Sequence, residues 1–253
     1  VYNGTVQRLK PIVTDAAGNE LTEDKDYTLK YTGDTFNAGL VTVRVAGIES
    51  AAQYGTLDVT YQILPADISE ITKPTLSNMT YNFGSELKPT VPAIKYRNLS
   101  LIRNTDFTVE YINNINVGTA TAIITGKGNY TGSIKADYEI QPKSISGAQV
   151  SGVAPITYTG DEITPDYTLT MNGNKTTLVE NEDYTVEFSN NVNVGNASVV
   201  FTGIGNYTGV TSKKTFKIAK KNVTEDNEVS VSDIPDQGYM GGMPVAPELT
   251  VTY

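Results

Sequence analysis

The sequence predicts an all-β protein of small sandwich modules in tandem, and three observations predict it. A block of about 77 residues recurs along the chain, short segments alternate strictly between apolar and polar residues, and Asn-Gly or Gly-rich turns separate those segments. No window of 11 residues carries a helical apolar stripe with caps. Short strands between turn signals at this spacing are the signature of a β-sandwich.

The repeat is clearest where Thr105-Asp106-Phe107-Thr108-Val109-Glu110-Tyr111-Ile112-Asn113-Asn114-Ile115-Asn116-Val117-Gly118 returns as Glu182-Asp183-Tyr184-Thr185-Val186-Glu187-Phe188-Ser189-Asn190-Asn191-Val192-Asn193-Val194-Gly195, an offset of 77 residues. The same offset links Tyr81 to Tyr158 and Tyr130 to Tyr207, which reads as half a repeat passing without insertion or deletion. Thr125-Gly126-Lys127-Gly128-Asn129-Tyr130-Thr131-Gly132 matches Thr202-Gly203-Ile204-Gly205-Asn206-Tyr207-Thr208-Gly209 at all but one position. A diverged first copy carries Lys25-Asp26-Tyr27-Thr28-Leu29-Lys30-Tyr31 and Asn37-Ala38-Gly39, with Glu49 to Gly55 in place of the Gly-x-Gly-Asn-Tyr loop. The division is then 1–66 for a variant first repeat that lacks its leading segment, 67–143 and 144–221 for two complete repeats, and 222–253 for the start of a fourth. Both ends read as cuts through a repeat of a longer array.

Within a repeat, the first strand sets Phe107, Val109 and Tyr111, or Tyr184, Val186 and Phe188, or Tyr27, Leu29 and Tyr31, on one face. The next strand sets Ala120, Ala122 and Ile124 on the core face, matching Ala197, Val199 and Phe201, and Val41, Val43 and Val45. Opposite them, Thr121, Ser198, Thr42 and Arg44 are expected in solvent. Asp137–Ile140 and Thr215–Ile218 close the sheet, Met171-Asn172-Gly173-Asn174 makes a turn, and Ile48–Gln53 makes a helical turn in the first copy alone. Each repeat should hold six or seven strands. The links Leu64-Pro65-Ala66-Asp67, Gln141-Pro142-Lys143 and Ala219-Lys220-Lys221 are short. Modules of roughly 30 to 40 Å joined so closely are expected to form a semi-rigid rod.

Composition bounds the chemistry. The 253 residues include no Cys and no His, which removes disulfides, thiolate nucleophiles, the commonest zinc ligand and the commonest general base. A net charge of −9 opposes binding to nucleic acid and to anionic membranes. No apolar run approaches the roughly 20 residues of a membrane span. The chain is therefore expected to be no enzyme, to hold no cofactor and to bind neither nucleic acid nor membrane.

The repeated strings, Asp-Tyr-Thr-Val-x-Phe/Tyr-x-Asn-Asn-x-Asn-Val-Gly followed by Thr-Gly-x-Gly-Asn-Tyr-Thr-Gly, resemble the tandem Ig-like surface repeats of very large secreted or cell-wall proteins of Gram-positive gut bacteria. The resemblance implies an Ig-like sandwich, with a β-grasp module as the alternative seen in related repeats. It also implies an extracellular or cell-surface location and a stalk that displays other modules. Some such repeats are adhesins that bind a host glycan, mucin or polysaccharide.

The candidate contact residues for such a ligand are Tyr130, Tyr207, Asn129 and Asn206. Each tyrosine either plugs the end of the core or stacks on a sugar; recurrence favours the plug, and the absence of Trp weakens the platform while 16 Tyr keep it open. Asn113, Asn114, Asn190 and Asn191 would suit a calcium ion, yet no Asp-x-Asp-x-Asp-Gly loop is present, and turn formation is the better account. The carboxylates Glu182 and Asp183, or Glu23, Asp24 and Asp26, read as solvated strand-edge charge, because neighbours on a strand point to opposite faces. No distinctive signature marks a Lys–Asn isopeptide bond. The Asn222–Pro235 segment is expected to be able to fill, in another molecule, the place of the first repeat's missing strand, giving weak head-to-tail association.

Overall fold

The computed structural model describes residues 1–49 and 55–222, with 230, 231, 233, 236, 238, 241, 242, 251 and 252 beyond them. Its described elements are strands joined by turns, and the fold is all-β. The expected helical turn at Ile48–Gln53 falls mostly outside the described residues, as does most of the start of the fourth repeat. Among the described residues no helix crosses a β-sheet in the β-grasp manner.

The first repeat is a three-stranded antiparallel sheet, β1 (Tyr27–Thr32), β2 (Gly39–Gly47) and β3 (Thr56–Ile63), in that order. The second repeat opens with β4 (Ala66–Asp67) and β5 (Met79–Thr80) and a small hairpin of β6 (Lys95–Tyr96) and β7 (Leu99–Ser100). It continues through β8 (Phe107–Ile112), β9 (Gly118–Gly126), β10 (Tyr130–Thr131) and β11 (Ser133–Gln141). The principal sheet runs β5-β11-β9-β8, with β5 parallel to β11 and the rest antiparallel.

The third repeat reproduces this plan with β12 (Lys143–Ser144), β13 (Gln149–Ser151), β14 (Ile156–Thr157), β15 (Thr168–Met171) and β16 (Thr176–Thr177), then β17 (Tyr184–Ser189), β18 (Gly195–Gly203), β19 (Tyr207–Thr208) and β20 (Lys214–Ala219). Its principal sheet is β14-β20-β18-β17, and β13-β15-β16 forms a second, smaller sheet. Two-residue strands raise the number per complete repeat above the six or seven expected. A further pair, β21 (Ser230–Val231) and β22 (Val251–Thr252), is antiparallel.

Alternation dictates the core as expected. Ala120, Ala122 and Ile124 are fully buried, as are Val199, Phe201, Val41 and, within 1%, Ala197 and Val43. Two positions depart from expectation. Ser198 is buried, on a central strand between Ser189 and Thr215. Val45 is only half-buried, where it faces Leu57, itself 66% exposed.

The framework is not free of insertions. Leu87 N–H donates to Asn114 O at 2.7 Å, and Ile163 N–H donates to Asn191 O at 2.8 Å, so Leu87 matches Ile163, an offset of 76. Ile94 then matches Leu169, an offset of 75, since Leu101 N donates to Ile94 O as Leu178 N does to Leu169 O; the β6–β7 turn has two residues, Arg97 and Asn98, whereas the β15–β16 turn has four, Asn172 to Lys175, which returns the offset to 77. Asn172, Gly173 and Asn174 take φ of +54°, +62° and +66° in that turn, as their types allow. These changes fall in turns, where length is tolerated without disturbing the ladder.

The chain divides into two compact units, Val1–Gln141 and Pro142–Tyr253. The second boundary lies two residues before the one read from sequence. A larger revision concerns the first: residues 1–66 are not a separate module. Tyr2, Val41 and Ile63 of the first repeat belong to one buried cluster with Ala66, Ile68, Ile94, Leu101, Phe107, Ile124, Tyr130 and Ile134 of the second. A three-stranded sheet buries too little apolar surface to stand alone, and sharing a core supplies the deficit.

Candidate functional site: the Gly-Asn-Tyr loops

The loop after β9 is shaped by its glycines. Gly128 and Gly132 take φ of +66° and +77°, a region that penalises any Cβ. A Cβ on Gly126 would lie 2.7 Å from Thr131 N, and one on Gly132 would lie 1.9 Å from Asp67 Oδ1. In the third repeat Gly205 and Gly209 take φ of +62° and +80°, and a Cβ on Gly203 would lie 2.7 Å from Thr208 N. The same three backbone bonds close both loops. Gly126 N donates to Gly132 O, Lys127 N to Asp106 O and Tyr130 N to Lys127 O, as do Gly203 N to Gly209 O, Ile204 N to Asp183 O and Tyr207 N to Ile204 O.

Each loop then captures the leading segment of its own repeat as a short parallel ladder. Ala66 N donates to Asn129 O and Ile68 N to Thr131 O, both at 2.9 Å, and Lys143 N and Ile145 N donate to Asn206 O and Thr208 O at 3.0 and 2.9 Å. Ile68 and Ile145 are thereby fully buried.

The four candidate contact residues occupy these loops, and the two tyrosine rings are not presented to solvent. Tyr130 and Tyr207 are each 4% exposed, so both act as plugs, and the stacking face that a sugar platform needs is covered. Tyr130 meets Tyr2 edge to face at 5.4 Å and Tyr96 at 5.9 Å, and Tyr2 meets Phe36 at 5.9 Å. Burial, and then the neighbouring Tyr2 and Asp106, push the Tyr130 hydroxyl up to about 12, so it is neutral at physiological pH.

Asn129, half-buried beside Tyr130, reaches into the first repeat. Its Oδ1 accepts from Ala38 N–H at 2.7 Å, and its Nδ2 donates to Asn37 Oδ1 at 2.7 Å. Tyr130 and Asn129 thus tie the first repeat to the second by an aromatic contact and a two-bond amide clamp. Asn206 is half-buried and Tyr207 buried at the corresponding places of the third repeat.

Sequence reasoning missed the receiving end of this clamp. Its signal was present: Asn37-Ala38-Gly39 recurs as Asn116-Val117-Gly118 and Asn193-Val194-Gly195, always in the turn before the central strand.

The Asn-Asn pairs are turn formers, as expected. Asn113 and Asn190 take φ of +55° and +56°, while Asn114 and Asn191 are buried. No group of three potential metal-ligating side chains occurs among the described residues. The loops Asn113–Thr119 and Asn190–Asn196 each enclose an open, amide-lined concavity, of about 440 and 330 Å³.

The strand-edge carboxylates are more than solvated charge. Asp26, Asp106 and Asp183 each accept a backbone N–H, from Thr22, Ile102 and Val179, at 2.8, 2.8 and 2.9 Å. Two residues earlier Asp24, Asn104 and Asn181 take positive φ, so the recurring Asn/Asp-x-Asp string is a turn that launches β1, β8 and β17.

No family model matches the chain, and no curated protein matches it. Among solved structures, it is similar to the Bacteroides ovatus mixed-linkage glucan utilization locus SGBP-B, in complex with mixed-linkage heptasaccharide, at 10% identity and a TM-score of 0.17. That alignment covers 83% of this chain and 59% of the other protein, so the chain spans less than two thirds of its length.

Proposed function

We propose that the chain is a structural spacer of a bacterial cell-surface or secreted protein, which holds other modules at a distance. The observation that carries this reading is the use made of the repeated motif. Its two most specific side chains, Asn129 and Tyr130, are spent on joining one repeat to the next. A repeat whose signature residues serve cohesion between neighbours suits a load-bearing array.

A second reading, binding of a glycan, mucin or polysaccharide, is favoured by the amide-lined concavities at Asn113–Thr119 and Asn190–Asn196, which recur in both complete repeats. Amide groups and short apolar side chains are groups that sugar hydroxyls and ring faces can meet. A screen of the full chain against glycans, mucins and polysaccharides separates the two. The spacer reading expects no saturable binding; saturable binding that Asn113→Ala and Asn190→Ala together abolish would replace it with the second.

A further inference from the structure

The second and third repeats diverge in the segments that precede β8 and β17. In the third, β13 pairs with β15 and sets Gln149, Val150 and Ser151 against Thr170, Leu169 and Thr168. Ile71 N donates to Ile68 O as Ala148 N does to Ile145 O, and Ile94 matches Leu169. These equivalences bring Thr72, Lys73 and Pro74 of the second repeat against Lys95, Ile94 and Ala93. Among the described residues no ladder joins them. Pro74 and the adjoining Pro92 have no N–H to contribute to one. A trough stands in its place, made of two adjoining concavities of about 350 and 410 Å³ that share Thr72 and Lys95. Where the third repeat has Thr170, Met171 and Asn172, the trough is lined by Lys95, Tyr96 and Arg97.

Arg97 takes φ of +54°, as Asn172 does, in a left-handed region that suits asparagine and penalises a long side chain. Its guanidinium carbon lies 5.3 Å from the Tyr96 ring centroid, and Tyr96 meets Tyr130 edge to face at 5.9 Å. A strained backbone position that carries a stacked arginine points to a use for that arginine. Stacking fixes the plane of the guanidinium and leaves its N–H fork for an anion. Lys95 is exposed on the adjoining strand, and neither it nor Arg97 forms an ion pair among the described residues. Lys73 is taken by Asp137 at 3.1 Å, and Glu70 is the one carboxylate that lines the trough. The trough is thus locally cationic on a chain of net charge −9. We infer that it binds an acidic polysaccharide, one that carries carboxylate or sulfate groups, with Arg97 holding the anionic group through its fork and Lys95 beside it. An acidic peptide adding as a strand would need the backbone donors that Pro74 and Pro92 lack, whereas a sugar chain bonds through its hydroxyls to side chains such as Thr72. The site shares no residue with the two amide-lined concavities. A ligand held on one repeat leaves the joint between repeats as it is, so the inference goes beyond the spacer reading without displacing it.

Isothermal titration calorimetry of the full chain with polygalacturonate, dextran sulfate and neutral dextran tests it. The expected result is saturable binding of one or both acidic polymers, weakened by added salt, and none of neutral dextran. The carboxylated and sulfated arms tell which anion the fork takes. Arg97→Asn and Lys95→Thr, which introduce the third repeat's residue types, should each weaken binding about tenfold or more. Arg97→Asn should also raise the thermal midpoint or leave it unchanged, because asparagine suits that φ, so its loss of binding is not a loss of fold. Arg97→Lys keeps the charge without the fork and should bind more weakly than the unmodified chain and more tightly than Arg97→Asn. The inference is overturned if neither acidic polymer binds, if Arg97→Asn and Lys95→Thr leave the affinity unchanged, or if Arg97→Lys binds as tightly as the unmodified chain. Loss of binding in Asn113→Ala with Asn190→Ala would overturn it by moving the ligand to the amide-lined concavities. Polyglutamate that binds as tightly as the polysaccharides would overturn it in favour of an acidic peptide.

Discussion

The second and third repeats share a backbone plan and differ at one buried hydroxyl, and the difference shows how a repeat absorbs substitution. Tyr138 and Phe216 are equivalent, facing Ala120 and Ala197 in the same sheet. The Tyr138 hydroxyl donates to Leu87 O, and the Asn114 Nδ2 group is left buried without a partner. Phe216 has no hydroxyl. There the matching carbonyl, Ile163 O, accepts instead from Asn191 Nδ2 at 3.0 Å, and Glu162 Oε1 takes a second bond at 3.2 Å. One carbonyl is satisfied in both repeats, by different donors, as a buried acceptor demands.

The contrast between the first and second repeats is larger. The second buries Ile68 of its own leading segment, and the first is joined to it through Tyr2, Asn37 and Ala38 at the Tyr130 loop. Tyr130→Ala should therefore have the largest effect of any single change, destabilising Val1–Gln141 by about 3–5 kcal/mol. In denaturant unfolding followed by hydrogen exchange, the first repeat should then open separately from the second. Retained joint protection would break the contrast.

Gly132→Ala comes next, at about 2 kcal/mol or more, because the alanine methyl would both meet Asp67 and occupy a left-handed backbone. Thermal melts of this variant beside Gly84→Ala, where φ is also positive but no atom lies within 4 Å, separate the clash from the backbone term. Asn191→Ala should cost about 1–3 kcal/mol through loss of its two bonds, while Asn114→Ala should cost under about 1 kcal/mol. Equal losses at the two sites would show that the Tyr138 hydroxyl is not what sets them apart.

Much of this was legible in the sequence, for identifiable reasons. Strand faces such as Ala120, Ala122 and Ile124 follow from a period of two that a buried sheet face enforces. A glycine-bounded loop between strands points to the plug role of Tyr130 and Tyr207. What could not be read was partnership over long separations. Asn129 and Asn37 lie 92 residues apart, and nothing local in either segment requires the other. The shared core of residues 1–141 was hidden likewise, because periodicity reports which face is buried and not what buries it. Compensating length changes at the β6–β7 and β15–β16 turns were masked by an offset that returns to 77.

A further predicted effect is one of pH. Burial raises the Tyr130 hydroxyl from its ordinary 10.0 to about 12, so the fold favours its neutral form. The unfolded chain loses this proton first as pH rises. The contribution is therefore fully present below about pH 10 and disappears between about pH 10 and 12. Thermal midpoints should fall over that interval, and Tyr130→Phe should fall less steeply.

The central claim is that the Asn129–Tyr130 loop makes one mechanical body of the first two repeats. Single-molecule extension of the full chain addresses it directly. The account predicts that Val1–Gln141 yields in a single step that releases about 500 Å of chain, and that Asn129→Ala with Tyr130→Ala splits it. Two separate steps of about 240 and 270 Å in the unmodified chain would contradict it.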